Sequence, residues 1–169
     1  MAVPVAVAIA VGSNLGNREA HLAFARSSLR AVLRKIRFSS VHQTAPIGTP
    51  DPQAHFLNAA LTGETLLRPR NLIEVLLSIE HARGRERPFP CAARTLDLDL
   101  ILFGTETVAE AGLTVPHPRF RERGFVLRPL SEIAPDWLDP VTGLTVAQLL
   151  GRLQRAEAAN DSSASPDKR

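Results

Sequence analysis

Arg94-Thr95-Leu96-Asp97-Leu98-Asp99-Leu100-Ile101-Leu102-Phe103 is the stretch that decides how the rest of the chain is read. Leucine at 96, 98 and 100 alternates with aspartate at 97 and 99, the period of a strand with one apolar and one polar face. The leucines are expected to face the core and both carboxylates to leave the opposite face, about 7 Å apart at the backbone. Like charges at that spacing repel by roughly 2 kcal/mol at an effective dielectric of about 20, so a compensating cation is expected. Magnesium suits, being a hard ion held by one or two carboxylates plus substrate phosphates. A solvated strand face would carry the same pair. What distinguishes this one is its entrance, crowded by Arg85, Arg87 and Arg94, because carboxylate-bound metal with arginine is the equipment of phosphoryl transfer.

Toward the N-terminus, an amphipathic helix is predicted from Pro69, suited to a first turn, through Leu72, Ile73, Leu76, Leu77 and Ile79 to Gly84. Before it, the strand over 56–62 splits by twos: Leu57, Ala59 and Leu61 one way, Phe56, Asn58 and Ala60 the other. That second face sets a ring beside an amide that both donates and accepts, which a flat heterocycle would use; an aromatic under a loop would look the same. The segment Ala45-Pro46-Ile47-Gly48-Thr49-Pro50-Asp51-Pro52 cannot continue a strand and is expected to be a surface loop. A strand is predicted over 38–44. Ahead of it Leu22, Ala25, Leu29, Val32, Leu33 and Ile36 make one helical stripe behind the N-cap Asn17. The first strand carries Val5, Val7, Ile9 and Val11 among alanines and breaks at Gly12-Ser13-Asn14-Leu15-Gly16. Free amides in such a turn can hold an anion, although a plain tight turn reads the same, and neither a Walker loop nor a dinucleotide fingerprint is complete.

Toward the C-terminus, Gly104-Thr105 is read as a turn into a hairpin partner for the aspartate strand, followed by Leu113-Thr114-Val115-Pro116-His117-Pro118 and a helix over 124–133. A last helix starts at Thr145, where Thr145 and Gln148 fit a capping box. Residues 155–169 are small and polar and are expected to be a disordered tail behind a single domain over 1–154. The order β-α-β-β-α-β predicts an α+β, ferredoxin-like split-βαβ sheet, mainly antiparallel, with helices packed on it as three αβα layers.

At 169 residues and 44% hydrophobic composition the chain can bury one core. Its 20 basic residues include only two lysines, Lys35 and Lys168, and arginine's planar fork matches phosphate oxygens. The single cysteine, Cys91, leaves no internal disulfide and fits a cytoplasmic location. No apolar run approaches the roughly 20 residues that cross a bilayer, and sheet aromatics lack the pattern of an RNA-binding face.

In order, Gly12-Ser13-Asn14-Leu15-Gly16, Thr44-x-Pro46, Phe56-Leu57-Asn58-Ala59-Ala60, Ile79-Glu80 with Gly84-Arg85, Arg94-Thr95-Leu96-Asp97-Leu98-Asp99, Val115-Pro116-His117 and Arg123-Gly124-Phe125 resemble the 6-hydroxymethyl-7,8-dihydropterin pyrophosphokinases of folate synthesis. The resemblance spans about residues 5–150. It implies attack of a pterin hydroxymethyl group on the β-phosphorus of ATP, with AMP leaving. By the same resemblance Asp97 and Asp99 hold two magnesium ions, and Arg85, Arg94, Arg123 and His117 meet ATP or its phosphates. Glu80 and Arg87 lie on the nucleotide side, and the backbone of Leu100 and Thr114 reads adenine. Gly12, Thr44, Pro46, Phe56, Asn58 and Phe125 form the pterin pocket, its two rings stacking on the bicycle.

Leu77 departs from the family's pattern, as does a loop over 85–94 that lacks tryptophan and offers Phe89 instead. The implied partners are the two small molecules, with no nucleic acid, no membrane and a monomeric state. The alternative from another class is a non-catalytic ferredoxin-like RNA-binding module.

Overall fold

In the computed structural model, which describes residues 2–46, 53–84 and 93–163, the alternating apolar strand at the N-terminus becomes the middle of the sheet. The elements run β1 (Val5–Ser13), α1 (Arg18–Leu29), β2 (Arg34–Phe38), β3 (His42–Thr44), β4 (Phe56–Thr65), α2 (Pro69–Ala82), β5 (Asp97–Phe103), β6 (Val108–Glu110), β7 (Leu113–Val115), α3 (Gly124–Ile133) and α4 (Val146–Ser163). The sheet order is β2-β4-β1-β5, with β3 also on β4 and every pairing antiparallel. Counting β2 and β3 as one interrupted strand, this is the split-βαβ order that the element pattern predicted.

Period-two alternation sends the strand side chains into two separate cores. Val7, Ile9, Val11, Leu57, Ala59, Leu61, Leu98 and Leu100 pack under α1 and α2, meeting Leu22, Leu29, Leu72 and Leu76. On the other face Ala8, Ala60, Ile101 and Leu102 meet Val126, Leu127 and Leu130 of α3 and Val146 and Leu149 of α4. A fully buried leucine such as Leu72 contributes about 2 kcal/mol. Both Ile101 and Leu102 reach the same core because the β1–β5 register shifts between Ala8 and Ile9, and a bulge reverses the facing of the residues beyond it.

Asn17 caps α1 as predicted, accepting from the Ala20 amide at 3.1 Å. Pro69 opens α2, and Gly84, with φ of 72°, lies just past its end in the left-handed region that glycine tolerates. Thr145 and Gln148 make the reciprocal capping box at 3.1 and 2.9 Å.

Four expectations change, the first being that the strand read over 38–44 divides into the end of β2 and the short β3, with 39–41 in neither. The stripe of α1 ends at Leu29, and Val32 to Phe38 belong to a turn and to β2, because pairing with β4 (Arg37 opposite Thr62) takes residues whose spacing also fits a helix. The segment after Gly104 pairs β6 with β7 as a separate hairpin rather than extending β5. Residues 155–163 are helical, continuing α4. Once nucleated, a run rich in alanine extends at little cost, and Arg128 on α3 meets Glu157 at 2.8 Å. Residues 164–169 lie outside the described residues, as do 47–52 of the proline loop and 85–92.

Candidate active site

The strand register builds the site. Gly12 stands opposite Asn58 on one side and Asp97 on the other, and Ala10 stands between Ala60 and Asp99. On β3, His42 is opposite Asn58 and Thr44 opposite Phe56. Thr44, Phe56, Asn58, Gly12, Asp97 and Asp99 therefore share one face, on the side of α3 and α4 and toward the open end of the sheet. Strands lie about 4.8 Å apart, so roughly 10 Å separates the backbones at Asn58 and Asp97, with glycine as the floor between them.

Each wall is held by a specific contact. Asn58 is buried and donates through Nδ2 to Thr44 Oγ1 at 2.7 Å. A Cβ added to Gly12 would sit 3.1 Å from Asn58 Oδ1 and 3.9 Å from the Phe56 ring. Because Thr44 fixes that amide, it cannot simply move away. We expect Gly12→Ala to raise KM for the substrate on the Asn58 side about tenfold, roughly 1.4 kcal/mol, with KM for the other substrate unchanged; equal changes in both would contradict the placement.

On the acidic side, Arg94 donates through Nη1 to Asp97 Oδ2 at 2.5 Å, and Arg123 Nη1 lies 3.9 Å from Asp99 Oδ2. Arg123 precedes α3 and covers the Phe125 ring at 5.5 Å, which brings a second aromatic to the site. His117 is half-buried, its amide on the Ile101 carbonyl and its Nδ1 accepting from the Arg119 amide at 3.1 Å. Burial, then the charge of Arg123, holds its pKa below the ordinary 6.5, against the opposing pull of Asp97. With Nδ1 occupied as an acceptor, the neutral ring carries its proton on Nε2 as a donor. These are two carboxylates among cationic and neutral donors, a setting for a polyanion bound with a hard cation. Asp97 and Asp99 keep 15% and 32% of their side-chain surface exposed. Among the described residues there is no cluster of three or more His, Cys, Asp or Glu side chains that could hold a metal ion.

The other expected residues are placed as follows. Glu80 is buried and accepts the Leu98 amide at 2.7 Å through Oε1, so it acts on the backbone of β5. Leu100 points its side chain into the core, and Thr114 is exposed on β7. Pro46 is half-buried just past β3. Arg85, Arg87 and Phe89 lie outside the described residues.

The Gly12 to Gly16 turn does not offer its Asn14 amide to an anion. That N–H donates to the Arg94 carbonyl at 3.0 Å, while Asn14 Oδ1 accepts the Arg94 amide at 2.7 Å and its Nδ2 reaches Gln53 Oε1 at 2.8 Å. Also missed from sequence is a clasp beneath Thr44, where Glu132 of α3 accepts from Ser40 and meets His42 Nε2 at 2.5 Å. No periodic signal links residues some 90 positions apart.

The family model of 7,8-dihydro-6-hydroxymethylpterin-pyrophosphokinase (HPPK) matches residues 8–135. The chain is similar to a 2-amino-4-hydroxy-6-hydroxymethyldihydropteridine pyrophosphokinase of Bacillus subtilis, 45% identical over 127 residues, 74% of this chain and 75% of the relative. A Synechocystis sp. protein of the same name is 41% identical over 144 residues, 84% of this chain and 73% of the relative. In fold, it is similar to Plasmodium falciparum HPPK-DHPS with pterin and p-hydroxybenzoate, with a TM-score of 0.76 at 15% identity, covering 95% of this chain and 45% of that one.

Proposed function

Because the chain belongs to the 7,8-dihydro-6-hydroxymethylpterin-pyrophosphokinase family, we propose that the cleft over Gly12 is where that reaction takes place. The enzyme transfers pyrophosphate from ATP to the hydroxymethyl group of 6-hydroxymethyl-7,8-dihydropterin in folate biosynthesis. The hydroxymethyl oxygen bonds to the β-phosphorus, the bond between that phosphorus and the α,β-bridging oxygen breaks, and AMP leaves with the bridging oxygen.

The observation that supports this cleft is the single sheet face with an aspartate pair at one end, Asn58 and Phe56 at the other, and only Gly12 between. In our reading Asn58, set by Thr44, reads the edge of the pterin, with Phe56 and Phe125 on its faces and Pro46 at the rim. Asp97 and Asp99 would hold two magnesium ions, which supply neutralisation of the triphosphate charge. Arg94 and Arg123 add fixed cations and His117 a neutral Nε2–H donor, all in place before charge develops. Glu80 steadies β5, whose backbone at Leu100, with that of Thr114, reads the adenine edge. Arg85 and Arg87 are assigned to the phosphates on the resemblance alone. Holding the hydroxyl in line with the β-phosphorus is the larger share of the task.

The RNA-binding alternative needs an open sheet face carrying aromatics. Both faces here are under helices apart from the patch that bears the aspartates. No described helix is long and apolar enough to cross a membrane. We read the protein as a cytoplasmic monomer whose single working domain includes all of α4.

The test is mass spectrometry of a mixture of ATP, magnesium, hydroxymethyl-dihydropterin and enzyme. Pterin diphosphate and AMP should accumulate in equal amounts. ADP with a pterin monophosphate would mean transfer of a single phosphoryl group instead.

A further inference from the structure

Arg94 reaches the aspartate pair from a stretch that the sheet does not support, since β5 begins only at Asp97. Its backbone is instead held on both sides by Asn14, through bonds of 3.0 and 2.7 Å. The aim of the guanidinium at Asp97 therefore depends on where the 14–16 turn sits.

That turn has its own anchor. His21 of α1 is buried, and its Nδ1 accepts from Arg83 Nε at 2.9 Å. With Nδ1 taken, the proton of the neutral ring sits on Nε2. Nε2 lies beside the turn, only 3.3 Å from where a Cβ on Gly16 would be. Arg83, at the end of α2, is itself fixed by stacking over the Phe24 ring at 4.8 Å. An unbroken series of contacts runs from Phe24 and Arg83 through His21 to the turn, then through Asn14 and Arg94 to Asp97.

We propose that His21 and Arg83 are positioning residues for pyrophosphoryl transfer, setting the 14–16 turn and, through Asn14, the approach of Arg94 to the phosphates. The proposal rests on the pyrophosphokinase reading of the site. Neither residue touches the reacting groups, so the effect falls on alignment of the transition state rather than on capture of the pterin. Burial, then the neighbouring guanidinium, keeps His21 below its ordinary pKa, which preserves the Nδ1 acceptor on which Arg83 relies.

Four variants of the full chain test it: His21→Leu, Arg83→Met, the two combined, and His21→Gln, whose amide can still accept from Arg83 and present an N–H to the turn. Steady-state AMP release and thermal unfolding are measured for each. Each single loss is expected to lower kcat about tenfold with pterin KM within about twofold, and the double variant to be no worse than either single, since both act on one series of contacts. His21→Gln should recover kcat to within about threefold. Unchanged kcat alongside a lowered melting temperature would mean that the pair only stabilises the fold. Multiplying effects in the double variant, or failure of glutamine to rescue, would equally overturn the proposal. A wild-type enzyme that releases no AMP would remove the pyrophosphokinase reading and this proposal together, whereas normal wild-type turnover with unaffected variants removes this proposal alone.

Discussion

Asp97→Ala and Asp99→Ala are each expected to lower AMP release by at least about 1,000-fold, roughly 4 kcal/mol of transition-state stabilisation, while the protein keeps its fold. Both side chains leave the sheet on the uncovered patch and keep part of their surface in solvent, so neither is part of the packed core. What each removes is a hard oxygen donor from a site already lined by Arg94 and Arg123. Without the carboxylate, a divalent cation has one ligand fewer and the arginines lose an internal counter-charge. Asp97→Asn separates these roles, because the amide keeps the shape and an oxygen for Arg94 but loses the charge. It should fall almost as far as alanine if the site binds a cation. Near-normal turnover with a melting temperature equal to wild type in any of the three would remove the metal assignment.

A second large effect is expected far from the chemistry, at the base of the α3 and α4 layer. Asp139 is fully buried and receives Arg121 Nε and Nη2 at 2.5 and 2.8 Å, the Thr142 hydroxyl at 2.6 Å and the Val141 amide at 3.1 Å. Burial on its own would raise its pKa. The hydrogen bonds from Arg121, then those from Thr142 and Val141, and the charge of Arg121 outweigh burial and bring it from 3.8 down to about 2. A carboxylate with a depressed folded-state pKa contributes stability that is fully present above the unfolded value and is lost as pH falls through the folded one. The contribution, about 2 kcal/mol, should therefore disappear between pH 3.8 and about 2. Asp139→Ala strands the guanidinium of Arg121 and should cost about 3 kcal/mol, lowering the melting temperature by roughly 10 °C. The combined change Arg121→Met with Asp139→Leu should recover part of this, because it leaves no uncompensated charge. At temperatures well below unfolding, kcat should stay at the wild-type value. A shift of less than about 2 °C for Asp139→Ala, or acid unfolding unchanged by it, would show that the pair is not worth what its geometry implies.

The two predictions differ in how visible their residues were beforehand. Asp97 and Asp99 stand two apart in an alternating run, and alternation is a local property of the pleat, so their shared face could be read without knowing any partner. The same holds for Phe56 and Asn58. Asn17, Thr145 and Gln148 declared their helix starts for an equally local reason, since a cap needs only the next turn of backbone. Arg121 and Asp139, 18 positions apart with the whole of α3 between them, carried no such mark. His117, Arg123 and Phe125 were reached through resemblance, not spacing, because they arrive from segments whose path the strand pattern does not specify.

From its own pattern the chain determined the β-α-β-β-α-β order, the two-sided core and the two functional half-faces on separate strands. The tertiary structure decided the register that sets Gly12 as the floor between Asn58 and Asp97, that α1 stops at Leu29 so the chain can pair with β4, and that the bulge opposite Ala8 and Ile9 turns both Ile101 and Leu102 toward α3 and α4. It also decided that Asn14 holds Arg94 and that Arg83 holds His21. The division has one physical cause. Facing and capping are set by the backbone within a turn or a pleat, whereas register, helix ends and side-chain clasps depend on which distant segment competes most favourably for the same hydrogen bonds and apolar surface.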